Sequence, residues 1–373
     1  MMRVTVIGLA MVSLIAGFLI GYLITMTTIC KVQEVKTAPK TVSVITAALY
    51  ANLFREAGKE LGINVVVTGM GSVQAARQVL LNPGGYSIYA SIDPYIITSL
   101  LYPSNITNWY IAIASDQMVI AYSPNLPQPL LGTVKNLTRA EERALKAGNY
   151  TEAMLITREF LNLIFSNNTF ALAHEYGAYA IGMSNPNTDP EGYRALMVLQ
   201  LAGLYWGLGK DYYVDLFNYA NRTGNVYEVL AGSELFGPME TGKVWFDIAI
   251  YRSSAISAGL PYFPLPPQIN LGSPQYSSFY GEASVVITVG GNNLVVKGAP
   301  IQLAITIPNQ APNKELAEEL IIYLITPRGQ ELMRSLGINP LVPAIFYGNI
   351  SGAPPFIRVL VNSSILAYGG SGS

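Results

Sequence analysis

Two strand–loop–helix units in succession restrict this chain to an α/β fold built on a largely parallel sheet. Thr41-Val-Ser-Val-Ile-Thr46 is rich in β-formers, and after Ala47-Ala-Leu-Tyr50 a helical pattern runs through Leu53, Phe54, Ala57 and Leu61. Ile63-Asn-Val-Val-Val-Thr68 repeats the arrangement, leading through Gly69-Met-Gly-Ser72 into a helix over Val73–Leu81. Ligands of such sheets sit beyond the carboxyl ends of the strands, over helix N-termini. Ser72 and the Thr46, Ala47, Ala48 loop are therefore natural partners for one small ligand, although Ser72 reads equally well as a plain helix cap.

A third loop of this kind is Ser184-Asn-Pro-Asn-Thr-Asp-Pro-Glu-Gly-Tyr-Arg194. Turn formers give way after Pro190 to a helical pattern in Leu196, Leu199, Leu201 and Leu204. Asp189 stands as N-cap, Pro190 at the first helical position and Glu191 in the first turn. Unpaired N–H groups at such an end form an anion site; the plainer reading of Asp189 is a cap and nothing more.

Between and beyond these units, Tyr86–Pro94, Tyr110–Ala114, Gln117–Tyr122, Lys243–Ser253, Ser284–Val289 and Gln302–Ile307 read as strands. The last two are expected to return towards the first half of the chain. Residues 126–178 read as a helical insertion, and Asn313–Thr326 as an amphipathic helix broken by Pro327-Arg-Gly329.

Composition excludes several chemistries. One cysteine, Cys30, rules out an internal disulfide framework and a thiolate zinc site, and one histidine, His174, rules out a histidine cluster. The net charge of -1 gives no polyanion footprint, so no nucleic-acid partner is expected. No P-loop, dinucleotide fingerprint, Gly-x-Ser-x-Gly elbow or His-Glu-x-x-His motif is present, which disfavours an extracellular enzyme.

Val4–Ile29 carries no charged residue and is long enough to span a bilayer. It exceeds the apolar core of a cleaved signal peptide. Residues 1–30 are therefore expected to be a transmembrane signal-anchor and 31–40 a linker, with the body outside the cell. Lipidation of Cys30 is the alternative. Sequons at Asn105, Asn136, Asn149, Asn167, Asn221, Asn349 and Asn362 fit an exported glycoprotein. They also fit a cell-surface structural protein, which would leave the loop–helix ends unexplained.

Several stretches together resemble a known family. They are Asn108-Trp-Tyr110, Gln117–Tyr122, Ser184–Arg194, Tyr251-Arg-Ser253, Leu265–Leu271, Ile305–Pro312 and Leu341-Val-Pro343. They are similar to the archaeal tungstate/molybdate-binding proteins of ABC transporters, over roughly Val42 to Pro343. The resemblance implies a two-lobed, type II periplasmic-binding-protein fold with a hinge, closing on an oxyanion. It implies an ABC permease and its ATPase as partners; a monomer without a cofactor is expected, with the membrane as a further partner through the N-terminal anchor. Lobe 1 is expected over 41–122 and 268–345, lobe 2 over 123–267, and a C-terminal tail over 346–373.

Carried over residue by residue, the resemblance makes Gly71-Ser72 an oxyanion-contacting turn, Asp189 a ligand of the tungsten or molybdenum centre, and Tyr251 part of the second lobe's ligand turn. Two positions depart from the pattern. Ala48 lacks a hydroxyl the family tends to have, which Thr46 could offset, and Ile250 stands where the family has a glutamate completing an octahedral centre. The departures leave open a related receptor for sulfate or a small organic anion.

Overall fold

The computed structural model describes residues 41–289 and 291–371. The expected anchor and linker lie outside them, and among the described residues no helix is long and apolar enough to cross a membrane. In chain order the strands are β1 (Thr41–Ala47), β2 (Asn64–Met70), β3 (Ile88–Ser91), β4 (Trp109–Ser115), β5 (Met118–Tyr122), β6 (Tyr179–Ser184) and β7 (Val226–Val229). They continue as β8 (Val244–Tyr251), β9 (Tyr262–Pro264), β10 (Ser284–Val289), β11 (Asn292–Lys297), β12 (Gln302–Thr306), β13 (Asn339–Gly348) and β14 (Leu366–Tyr368).

They form two main sheets. One has the order β14-β13-β4-β12-β3-β1-β2 and the other β7-β6-β8-β5-β9. In the first, β1 lies parallel between β2 and β3, with Thr46 opposite both Gly69 and Ala90. Val42, Val44 and Ile45 are fully buried, as befits a central strand covered on both faces, whereas Val66 on the β2 edge is half exposed. In the second sheet β6 runs parallel to β7 and β8, while β5 is antiparallel to β8 and β9.

The lobe boundary differs from the sequence reading. Ending lobe 1 at 122 assigns β5 to that lobe, but β5 pairs only within the second sheet. The chain changes sheet at Asp116-Gln117. There the Asp116 N–H donates to Ile301 O at 3.4 Å and the Met118 N–H to Asn270 O at 2.8 Å. The return strand crosses beside it, since Ile301 N–H donates to Leu271 O at 2.8 Å. These two crossing segments are the hinge of the fold.

Two further expectations are corrected. β10 does not rejoin the first sheet but pairs with β11 as a separate hairpin. The Gln200 amide clamps it to the Pro190–Tyr205 helix, accepting from Ser284 N–H at 2.8 Å and donating to Ser284 O at 3.0 Å. Residues 346–371 are not a tail: β14 pairs parallel to β13, and the Pro355–Asn362 helix buries Ile357 and Leu360. Phe356 meets Trp109 edge-on at 6.2 Å.

Residues 126–178 contain the helices Gln128–Lys146, Tyr150–Ile164 and Asn167–Glu175. Their Phe160 stacks on Phe263 of β9 at 4.0 Å and meets Phe246 of β8 edge-on, which fixes the insertion to the second lobe. His174 is exposed in the last turn of the third helix.

Candidate ligand cleft

The Ser184–Arg194 loop is rigid for local reasons. Asn185 accepts the N–H of Asn187 on its side chain at 2.8 Å and those of Thr188 and Asp189 on its carbonyl, each at 3.0 Å. Asp189 then caps the helix from extended backbone, its Oδ1 accepting Glu191 N–H at 3.2 Å. Its Oδ2 accepts Gly232 N–H at 2.9 Å, tying the cap to the loop after β7.

Where the two lobes meet, a narrow cleft is lined by Ala47, Ala48 and Leu49 from lobe 1. Lobe 2 contributes Asp189, Glu191, Gly232, Ser233, Tyr251 and Ser254. Four of the six candidates read from the sequence therefore share one cleft: Ala47, Ala48, Asp189 and Tyr251. Thr46 and Ser72 are fully buried and do not line it. Ser72 acts at its helix start, where Oγ accepts Ile92 N–H at 3.3 Å, and Thr46 Oγ1 has no hydrogen-bond partner. Ile250 does not line the cleft either. It packs with Val119, Ala121, Leu235 and Met239 on an apolar cluster, after a register shift in β8 that holds Ala249 at φ 78°. A non-glycine residue there is strained and re-aims the strand end.

Glu191, Gly232, Ser233 and Ser254 were not singled out as ligand residues from the sequence. Glu191 reads as an ordinary first-turn acid, and nothing local shows that the turn is buried. Burial pushes Glu191 and Asp247 well above the usual carboxylate range; the charges of Asp247 and Asp189 add to the effect at Glu191, and that of Asp189 at Asp247. Asp189 itself is raised by burial, partly offset by the N–H groups of Gly232 and Glu191. Among the described residues no cluster of three or more metal-ligating side chains could hold a metal ion.

Arg194 joins the lobes. Its guanidinium donates to Ile92 O at 2.9 Å and pairs with Asp93 Oδ2 at 3.2 Å, both from lobe 1. It also donates to the Tyr251 hydroxyl at 2.7 Å. Arginine has only donors, so the Tyr251 oxygen accepts and keeps its own hydrogen for another partner. Burial pushes this phenol well above 10.0, so it stays protonated. Tyr193 O–H adds a 2.5 Å bond to the same Asp93 oxygen.

At the hinge, Asp116 accepts from the Ser253 hydroxyl and from Gln117 N–H at 2.8 Å. Burial raises its pKa from 3.8 to about 6 against these hydrogen bonds. The native state then binds this proton more tightly than the unfolded chain does. Its contribution to stability is present below about pH 4 and lost as pH rises to about 6, a change of about 3 kcal/mol. Urea unfolding of the protein and of Asp116→Asn across this window is expected to show that slope only in the former. Parallel slopes would remove Asp116 as the source.

Comparison with known proteins places the chain among solute-binding proteins. The family model described as bacterial extracellular solute-binding protein matches residues 38–339. The molybdate/tungstate-binding protein WtpA of Pyrococcus abyssi is 31% identical over 339 residues, covering 86% of this chain and 87% of that protein. A solute-binding protein of Sulfurisphaera tokodaii is 31% identical over 339 residues, covering 87% and 80%. Among solved structures, the periplasmic molybdate-binding protein of Azotobacter vinelandii matches with a TM-score of 0.50 at 14% identity, covering 80% of this chain and 98% of that one. At that identity the likeness speaks for the α/β binding-protein fold alone.

Proposed function

The chain belongs to the bacterial extracellular solute-binding protein family, not to an enzyme family, and from that premise we propose that it captures molybdate- or tungstate-type oxyanions for uptake by an ABC transporter. The observation that carries this reading is the placement of the cleft. Ala47–Leu49 of one lobe faces Asp189, Gly232 and Tyr251 of the other, at the N-terminus of the Pro190–Tyr205 helix. That helix end favours negative charge, and the free hydrogen of the Tyr251 hydroxyl supplies a neutral donor. The relative from Pyrococcus abyssi, whose name gives molybdate and tungstate, supports the choice of solute.

Sulfate or a small organic anion is the second reading, favoured by the apolar Ala47-Ala48-Leu49 wall. Calorimetric titration with tungstate, molybdate, sulfate and phosphate is expected to give micromolar or tighter binding for the first two. Heat from sulfate alone would establish the second reading, and heat from none would remove both.

The anchored and glycosylated surface state belongs to the same proposal. Val4–Ile29 would tether the body outside the cell, beside a permease that receives the solute.

A further inference from the structure

A second recess lies beside the hinge, apart from the cleft. It measures about 390 Å³ and is lined by Arg252 and Ile256 of lobe 2 and by Arg334, Ser335, Gly337 and Asn339 of lobe 1. None of these residues lines the cleft. The two walls are fastened to the hinge strand on either side of Asp116. Arg252 N–H donates to Gln117 O at 2.8 Å, and Asn339 of β13 pairs with Ser115 of β4. The walls meet where Ile256 approaches Gly337, since a Cβ added to that glycine would lie 3.1 Å from Ile256 Cγ2.

This recess gathers positive charge with no acid to answer it. No aspartate or glutamate lines it. Among the described residues neither guanidinium forms an ion pair, whereas those of Arg194 and Arg328 do. Asp116 is near enough to feel the Arg252 charge, but its oxygens already accept from the Ser253 hydroxyl and the Gln117 N–H. Arg334 has an ordinary reason to be where it is, because a cation in the last turn of the Pro327–Ser335 helix complements the dipole. Arg252 has none, because it opens the Arg252–Ser257 helix, where the dipole disfavours a cation. Two guanidiniums sharing one recess repel each other, and each presents a planar fork matched to carboxylate or phosphate oxygens.

We propose that the recess is a second anion site, taking a small organic dianion, a phosphate ester or a dicarboxylate, that bridges Arg252 and Arg334. Its volume falls within the range of about 300–1,000 Å³ typical of small-molecule sites and exceeds what one inorganic oxyanion fills. The bridge ties lobe 2 to lobe 1 beside the hinge, in the arrangement where Gly71 and Thr188 also meet across the cleft. Occupancy therefore favours closure and raises the affinity of the cleft for its solute, and the solute strengthens dianion binding by the same factor. The site stands on the recess alone and does not depend on which solute the cleft takes.

The test titrates the full chain with sodium succinate and with glycerol 3-phosphate, in about 0.15 M sodium chloride to screen loose surface binding. It is repeated with Arg334→Gln, with Arg252→Gln, and with Arg358→Gln as a charge control outside the recess. At least one probe is expected to bind with a dissociation constant of about 1 mM or tighter, and which one binds tells the ester from the dicarboxylate. Arg334→Gln and Arg252→Gln are expected to weaken it about tenfold or more, and Arg358→Gln less than about twofold. Saturating probe is expected to raise tungstate affinity about threefold or more, a gain that Arg334→Gln abolishes. No heat from either probe, or heat that survives Arg334→Gln, would overturn the site. Loss of the probe's heat on adding equimolar tungstate would assign the probe to the cleft and overturn it as well. Recess binding that leaves tungstate affinity unchanged would overturn the coupling to closure. If the natural chain binds no tungstate, small-angle scattering with and without the probe reads closure directly, so the solute reading can fail while this site stands. Should one recess variant not fold, the other decides.

Discussion

Replacing Asp93 by asparagine is expected to weaken solute binding roughly thirty- to hundredfold while changing the unfolding free energy little. Asp93 belongs to lobe 1, and its Oδ2 holds the Tyr193 hydroxyl and the Arg194 guanidinium of lobe 2. Its Oδ1 accepts Tyr95 N–H at 2.9 Å, a bond that asparagine keeps. The amide group would instead face two donors. Charge-assisted hydrogen bonds in a buried site contribute about 1.5–3 kcal/mol each. When the lobes part, both partners regain water, so the loss falls on closing and not on the fold of either lobe. A closed state weakened by ~2–3 kcal/mol lowers apparent affinity by one and a half to two decades. Calorimetry gives the affinity, and small-angle scattering with and without tungstate gives the compaction. An affinity within about threefold of the natural protein would show that this ion pair does not govern closure.

The same contacts explain what could be read from the sequence and what could not. The units Thr41–Leu61 and Ile63–Leu81 were legible because strand and helix periods are local, and a helix cap such as Asp189 is set by its immediate neighbours. The change of sheet at Asp116 was not. β4 and β5 are both apolar strands buried along almost their whole length, so composition gives no sign that one pairs with β12 and β13 and the other with β8 and β9. Only long-range pairing separates them. β14 escaped notice for the opposite reason, being three residues long and followed by glycine and serine.

Site residues divide along the same line. Asp189 and Tyr251 stand at the ends of legible elements, so their shared cleft follows from the topology. Ser72 starts a helix as Asp189 caps one, yet its hydroxyl is engaged by Ile92 N–H, which lies twenty positions away in the chain. Ile250 reads as the lost ligand position because the family resemblance puts a glutamate immediately before Tyr251. The register shift and the positive φ at Ala249 turn that position onto an apolar cluster instead. Glu191 carried a helix-dipole signature that masked a buried one.

Gly71 supplies the second large effect, one that isolates closure from folding. Its φ of -59° and ψ of 140° suit any residue, so no backbone rule requires glycine there. What requires it is the other lobe: a Cβ would lie 2.2 Å from Thr188 O and 3.1 Å from Asp189 Cα. Backbone cannot give way as a flexible side chain can. Around this contact the lobes also share Gln74 N–H to Thr188 O at 3.3 Å and Arg77 Nη2 to Asn187 O at 3.3 Å. Gly71→Ala should therefore fold normally and gain about 0.4–1 kcal/mol from a less flexible unfolded chain. Closing over the solute, by contrast, would meet an overpacking cost of about 1–3 kcal/mol or a lobe held ajar. Tungstate affinity is expected to fall between roughly fivefold and a hundredfold, with the ligand-bound particle less compact in solution. The two readouts must move in opposite directions. A variant that melts higher and binds less has lost closure alone, because the same methyl that restricts the unfolded chain obstructs the meeting of Gly71 with Thr188. One that melts higher and binds as tightly would mean that the lobes do not need this contact to hold their solute.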